Sequence, residues 1–201
     1  GPGRLPLYEG KMIHQFDHKY AKPKYWIDEA EGRKALLGRN EDKGQKLDYQ
    51  GYRLCHRSIA ANTNERSFIC TIIKNSFFGH SLNYFVYDDI KTIIFITVLF
   101  NSYICDYLLR QKVSTNLTMF YVYQLPIPRL TEKNPQFLPL VSRAARLICT
   151  TPEFDELASE VGLGSHKNGV TDPAERAKLR SELDGLVAHL YGVTREEFQH
   201  I

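Results

Sequence analysis

Hydrophobic positions along the chain change period several times, and each change marks an element. Residues 4–50 are irregular, charged and punctuated by Gly and Pro. Two extended stretches stand out there, Leu5-Pro6-Leu7-Tyr8 and Lys22-Pro23-Lys24-Tyr25-Trp26, because a residue before proline is pushed out of the helical region. Asp28 to Leu37 is a short helical candidate, and Gly38, Asn40, Gly44 and Gly51 mark loops. Tyr52 to Ile59 then alternates, with Tyr52 and Leu54 on one face and Arg53, Cys55 and Arg57 on the other. Ser67 to Lys74 is β-branched and apolar, as a buried strand should be. The polar connector between them, residues 60–66, predicts an antiparallel pair. A loop over Gly79 to Asn83 and a short strand over Tyr84 to Tyr87 follow.

The next pattern predicts one helix from Asp88 to about Gln111. Asp88 suits its N-cap, and Arg110 and Lys112 suit its C-terminal end. Its apolar stripe, from Ile90 to Leu108, is wide enough that most of the helix must be buried. Leu117 to Tyr123 reads as a strand, ended by Pro126 and Pro128. From Pro135 onward the spacing is helical, over Leu138–Thr150, Pro152–Val161, Pro173–Leu190 and Thr194–Ile201. Thr171-Asp172-Pro173 is a helix start, and Thr194 with Glu197 has capping-box spacing. The fold class is therefore α+β: a small mixed or antiparallel sheet, one long buried helix and a helical C-terminal tail. The expected division is a recognition domain over residues 4–130 and a helical subdomain over 131–201.

The 201 residues are 43% apolar and 12% aromatic, which excludes a disordered or collagen-like chain. The longest apolar run, Ile93 to Phe100 with Thr97 inside it, falls far short of the roughly 20 residues of a membrane span. No N-terminal signal is visible, so no membrane partner is expected and a cytoplasmic location is. Gly1-Pro2-Gly3 reads as a protease-cleavage remnant on a piece of a longer protein. The net charge of +3 hides an asymmetry: residues 151–201 hold 5 Lys/Arg against 10 Asp/Glu, so the basic excess lies in the body. A basic body with an acidic tail fits a polyanion partner for the body alone, and ordinary solvated helix faces account for it equally well. Cys55, Cys70, Cys105 and Cys149 show no C-x-x-C spacing and read as small buried hydrophobes.

No catalytic constellation stands out. There is no Gly-rich phosphate loop, G-x-S-x-G or H-E-x-x-H. His14 and His18 have the i,i+4 spacing of a metal pair, but no third ligand is evident. Glu9-Gly10-Lys11 matches the end of a nuclease metal site, yet no acid precedes Glu9. Asn134-Pro135-Gln136-Phe137 departs from the N-P-P-[FY] site of amino methyltransferases at its third residue and is better explained as a helix start. No catalytic, metal or cofactor residue is therefore assigned.

Several stretches, in order, resemble one family. These are residues 5–21 (LPLYEGKMIHQFDHKYA) and Pro23-Lys24-Tyr25-Trp26-Ile27, then Arg57-Ser58-Ile59-Ala60 with Asn64-Glu65-Arg66. Asn101-Ser102-Tyr103 with residues 106–113 (DYLLRQKV), Gln124-Leu125-Pro126-Ile127-Pro128, and Leu183-Asp184 with Ala188-His189-Leu190-Tyr191-Gly192 complete the set. Together they resemble the C-terminal target-recognition region of TaqI-like bacterial N6-adenine DNA methyltransferases, the type IIG restriction–modification enzymes and their relatives in phage defence. The resemblance implies a module that reads double-stranded DNA beside a methyltransferase domain of the same parent chain. That absent upstream domain would bind S-adenosylmethionine. Catalysis is not carried over to this chain.

The residues themselves point the same way. Arg53 and Arg57 share a strand face and the connector ends in Arg66; a guanidinium pairs with guanine or phosphate. Asn62 and Asn64 have the amide that pairs with adenine, and Ser58 and Thr63 serve either purpose. A two-stranded ribbon would carry these groups outward into the major groove, with Lys74 at its end. A local ion-pair network of Arg57, Glu65 and Arg66 is the competing explanation. Arg110, Lys112, Ser114, Thr115 and Asn116 form a second surface suited to phosphates, and a solvated helix terminus explains them equally well. Lys19, Lys22 and Lys24 with Trp26 make a basic-aromatic patch, and His80 sits in a loop that suits a groove. The rival functions are a protein-interaction module of a phage-defence complex, or part of a nuclease site completed elsewhere in the parent.

Overall fold

The computed structural model describes residues 3–60, 64–113 and 115–201. Among these residues the chain forms two three-stranded sheets and eight helices, an α+β arrangement. The first sheet takes the two proline-bearing extended stretches. β1 (Arg4–Tyr8) runs antiparallel to β2 (Tyr25–Asp28), with Pro6 opposite Trp26, and parallel to β5 (Phe77–Phe78). Asp28 then caps α1 (Glu29–Leu37) by accepting from the Ala30 and Glu31 amides. Gly32 of α1 lies against the Phe77 ring, where a Cβ would come within 2.2 Å, so only glycine lets α1 close on this sheet.

The second sheet has the order β4-β3-β6, with β3 (Arg53–Arg57) paired antiparallel to both β4 (Cys70–Ile73) and β6 (Leu82–Phe85). The expected antiparallel pair is present. It is not a free two-stranded ribbon, because β6 occupies the second edge of β3. As the central strand, β3 is buried from Arg53 to His56, so the face assigned to outward-pointing Arg53 and Arg57 is an inner face. β6 itself lies two residues earlier than the Tyr84–Tyr87 pattern suggests.

The single helix expected over Asp88–Gln111 is two helices, α2 (Ile90–Asn101) and α3 (Tyr103–Arg110), bent by 58° at Ser102. Ser102 takes extended geometry (φ −75°, ψ 153°), donates to the Leu99 carbonyl and accepts from the Cys105 amide, so one side chain ends one helix and caps the next. The cap of α2 is Asp89 rather than Asp88. No single helix among the described residues is long and apolar enough to cross a membrane. The strand expected over Leu117–Tyr123 is instead a helical turn, α4 (Met119–Val122). Val122 and Leu125 are buried at helical spacing while Phe120 and Tyr123 face outward, and this burial overrides the β propensity of the segment.

The tail follows its pattern closely. α5 (Phe137–Ile148), α6 (Asp155–Glu160), α7 (Pro173–Leu190, capped by Asp172) and α8 (Arg195–His200, with the Thr194–Glu197 capping box) complete the chain. α2 lies between β4 and α5, and α5 packs on α7. Phe68 stacks on Phe100 at 4.7 Å and Phe95 meets Phe137 at 5.1 Å, so sheet, α2 and tail share one apolar core. The tail thus completes this core with the faces of Leu140, Ala144, Leu147, Leu179, Leu183 and Val187.

His56 in β3 is sealed between Phe68 and Phe85, and burial draws its pKa from 6.5 down to about 4. Between those values the unfolded chain binds a proton that the folded chain refuses. Stability is therefore full above pH 6.5 and falls as pH drops toward 4, by on the order of 3 kcal/mol from this group. His56→Phe, which keeps a ring in the site, should flatten the fall in urea-unfolding free energy between pH 6.5 and 4.5. An unchanged slope would refute this account.

Candidate nucleic-acid interface

Beyond β3 the chain runs beside the segment that follows α3. The Ala60 amide donates to the Thr115 carbonyl at 2.9 Å, and the Leu117 amide to the Ser58 carbonyl at 2.8 Å. Arg110 at the end of α3 donates to the carbonyls of Asn64 and Glu65. The Ser58 amide donates to the Ser81 carbonyl at 3.0 Å, and its hydroxyl to the His80 carbonyl at 3.3 Å. The described residues of the connector, the α3 exit and the His80 loop therefore lie along one edge. Ile59, Asn64, Glu65, His80, Lys112, Thr115 and Asn116 are exposed along it. Asn62, Thr63 and Ser114 lie outside the described residues.

The arginines placed on this surface from the sequence are occupied within the protein. Arg53 is buried, donates to the Ser76 carbonyl and hydroxyl, and stacks 3.8 Å from the Phe78 ring centroid. Burial lowers its pKa to about 10, which leaves it charged at neutral pH. Arg57 is half-buried and donates through Nε and Nη2 to the Ile13 carbonyl. Arg66 is buried, pairs with Asp184 of α7 at 2.9 Å and lies 3.2 Å above the Tyr103 ring centroid. The competing explanation, a local ion-pair network of Arg57, Glu65 and Arg66, does not hold either, since the partner of Arg66 lies 118 residues away. Arg110 pairs with Asp106 at 2.7 Å. Lys74 pairs with Glu156 at 2.6 Å and sits over the Tyr52 ring.

Two carboxylates organise this arrangement, and neither was evident in the sequence. Asp106 accepts from the amides of Ser67 (2.8 Å) and Phe68 (2.6 Å) with one oxygen and from Arg110 with the other. Asp184 accepts from Arg66 and from the Tyr103 amide. Burial raises the Asp184 pKa, and Arg66 with the Tyr103 amide opposes that rise. The start of β4 is thereby tied to α3 and to α7. Phe120 (69% exposed) and Tyr123 (73%) on α4 also escaped the sequence reading, because a strand was expected there. Lys22 and Lys24 are exposed before β2, with Lys24 5.1 Å from the Tyr25 ring centroid and Trp26 exposed beside it, while Lys19 pairs with Glu153.

Little here suits catalysis. No group of three His, Cys, Asp or Glu that could hold a metal occurs among the described residues. His14 and His18 are not on a helix. His18 is buried with its Nε2 3.2 Å from both Glu153 and Thr151. Burial disfavours the Glu153 anion, but bonds from His18, its own backbone and Thr151 outweigh that and hold its pKa well below the ordinary range. All four cysteines are buried, and desolvation raises their pKa values, to about 12 for Cys55 and Cys149 and about 11 for Cys105, so they stay as inert thiols. A groove of about 670 Å³ between α3 and α8 is lined mainly by apolar side chains such as Ile104, Leu108 and Val193.

No protein-family model matches the chain, and no curated protein matches it. The fold is similar to part of the Type IIL restriction-modification enzyme MmeI, solved in complex with DNA, with a TM-score of 0.53 at 15% identity. The match covers 96% of this chain and 28% of that one. The likeness is one of fold. The chain spans well under a third of that enzyme.

Removing Asp184 would strand the buried Arg66 guanidinium. Asp184→Ala is expected to cost about 3–5 kcal/mol in urea unfolding. Asp106→Ala should cost at least as much, because it removes the acceptor of two successive buried amides, Ser67 and Phe68, together with the ion-pair partner of Arg110. A loss below about 1 kcal/mol for both would refute the anchoring role.

Proposed function

We propose that this chain is a double-stranded DNA recognition module of a bacterial restriction–modification protein, with no catalytic activity of its own. The observation that carries the reading is that nearly the whole chain shares its fold with part of a restriction–modification enzyme solved with DNA bound. Two sequence-distant segments also close into one exposed edge with amide, hydroxyl, imidazole and ammonium groups. Such groups pair with base edges and phosphates.

With Arg53, Arg57 and Arg66 engaged inside the protein, base reading falls to Ser58, Asn64, His80, Thr115 and Asn116. An asparagine amide suits the N6/N7 edge of adenine. Lys112, Lys22 and Lys24 take phosphates. The finer reading is a target-recognition domain of the TaqI-like, type IIG class, whose parent methylates adenine N6. On this reading S-adenosylmethionine is not a ligand of this chain. Among the described residues no strand runs through a glycine-rich turn into a helix, since Gly32 packs on Phe77 and Gly162 and Gly164 follow α6. The cofactor belongs to a methyltransferase domain of the same parent chain.

Titrating the protein against a randomised duplex pool at two salt concentrations tests this. Affinity should fall with salt by about 0.9 log units per log unit for each phosphate neutralised. Lys112→Gln should reduce that slope by about 0.9. Asn116→Ala should leave the slope unchanged and relax one position of the selected sequence, by roughly 1–3 kcal/mol of discrimination. Failure to retain any duplex at low salt would remove the reading.

A further inference from the structure

Phe120 and Tyr123 are the two most exposed large hydrophobic side chains of the described protein, at 69% and 73%. Phe120 on α4 and Tyr123, its helical C-cap, stand three residues apart, so they share a face. Val122 and Leu125 fill the inner side of the turn, while Tyr123 meets Phe85 edge-on at 6.0 Å and Phe120 meets its neighbour Tyr121 edge-on at 5.6 Å, which leaves both rings largely exposed. Exposed apolar pairs of this kind mark contact surfaces more often than isolated side chains do.

Their surroundings identify the partner. α4 begins two residues after Leu117, which is bonded to Ser58, so the pair extends the edge described above. Lys112 Nζ donates to Gln124 Oε1 at 3.0 Å, which sets an ammonium beside the residue that follows Tyr123. From residue 107 to 131 the sequence holds no Asp or Glu, and with Arg110 paired to Asp106 its unpaired cations among the described residues are Lys112 and Arg129. Aromatic faces inside a cationic, acid-free stretch complement a polyanion that carries flat apolar rings. Nucleic acid has both, and base–aromatic stacking tolerates any sequence.

We propose that Phe120 and Tyr123 are a stacking contact for a base unstacked from duplex DNA, with Lys112 holding the adjoining phosphate. The proposal rests on the reading of the chain as a duplex-DNA module. It adds that this module carries an element responsive to base-step distortion as well as to sequence.

The test compares binding of a matched duplex and the same duplex with one central mismatch, by the wild type, Phe120→Ala, Tyr123→Ala and the double variant. The wild type should prefer the mismatched duplex. Each alanine variant should lose about tenfold in affinity for it, with an unchanged salt slope and an unchanged melting temperature, because both rings are exposed. Wild-type binding with no loss in the double variant overturns the stacking proposal and leaves the module reading intact. Absence of duplex binding by the wild type overturns both. Sedimentation of the same proteins decides against a second copy of this chain as the occupant: if the double variant only converts a dimer to a monomer and binds DNA as before, the proposal fails.

Discussion

Buried carboxylates tolerate the protein interior only when their charge is met by donors, and Asp106 and Asp184 meet theirs at the same place. Between them they bind two successive amides at the start of β4, the Tyr103 amide and two guanidinium groups. Arg110 lies on the same helix as Asp106, but Ser67 and Phe68 reach Asp106, and Arg66 and Tyr103 reach Asp184, from elements far away in the chain, so α3, α7 and the segment before β4 cannot shift independently. Ionic ties of this kind contribute little net stability against apolar replacements, yet they fix geometry, because breaking one leaves an unmet charge. The exposed edge inherits its shape from that fixed base. Arg110 carries the constraint outward to the carbonyls of Asn64 and Glu65, and the Thr115 and Ser58 carbonyls continue it as a short ladder.

The same constraint explains why the arginines were misread. Period-2 alternation correctly put Arg53 and Arg57 on one face of a strand, but a face is outer only if nothing covers it. β5 with the residue before it, and the N-terminal segment, do cover it, through Ser76, Phe78 and the Ile13 carbonyl. Strand position alone does not reveal a third strand that arrives later in the sequence. What local chemistry does specify was legible: the helix starts at Asp172 and Thr194, the pairing of a strand within 52–59 with one within 67–74, and α7 from Pro173 to Leu190. The break at Ser102 was not, because its apolar stripe continues unbroken across the bend and only a serine marks it. α4 was hidden for the opposite reason, since aromatic and β-branched residues there favour a strand until Val122 and Leu125 find a core.

The stretches that resemble the methyltransferase family meet one another in the folded chain. Arg66 of one pairs with Asp184 of another. The Tyr191 hydroxyl donates to the Pro126 carbonyl at 2.9 Å, joining two more. Asn101 accepts from the Cys70 amide and donates to its carbonyl, and Tyr103 lies against Arg66. These residues therefore act as internal ties, and a resemblance carried by them speaks to architecture first. That agrees with a structural likeness that persists at 15% identity.

A division of labour follows from where the charges lie. The ties consume most of the guanidinium groups near the edge, so the groups left at its surface are amides, hydroxyls, an imidazole and a few ammonium ions. Such a surface offers hydrogen-bond discrimination with little electrostatic pull, and a net charge of +3 with an acid-rich tail adds little more. On the proposed reading, affinity must then come from elsewhere: from apolar contact with the DNA, or from a neighbouring domain that grips the same duplex and raises the effective concentration of this one. Because the side chains of Asn64, Thr115 and Asn116 make no hydrogen bond to Asp106 or Asp184, they can be exchanged without disturbing either carboxylate. A scaffold built this way can change what it reads while keeping how it stands.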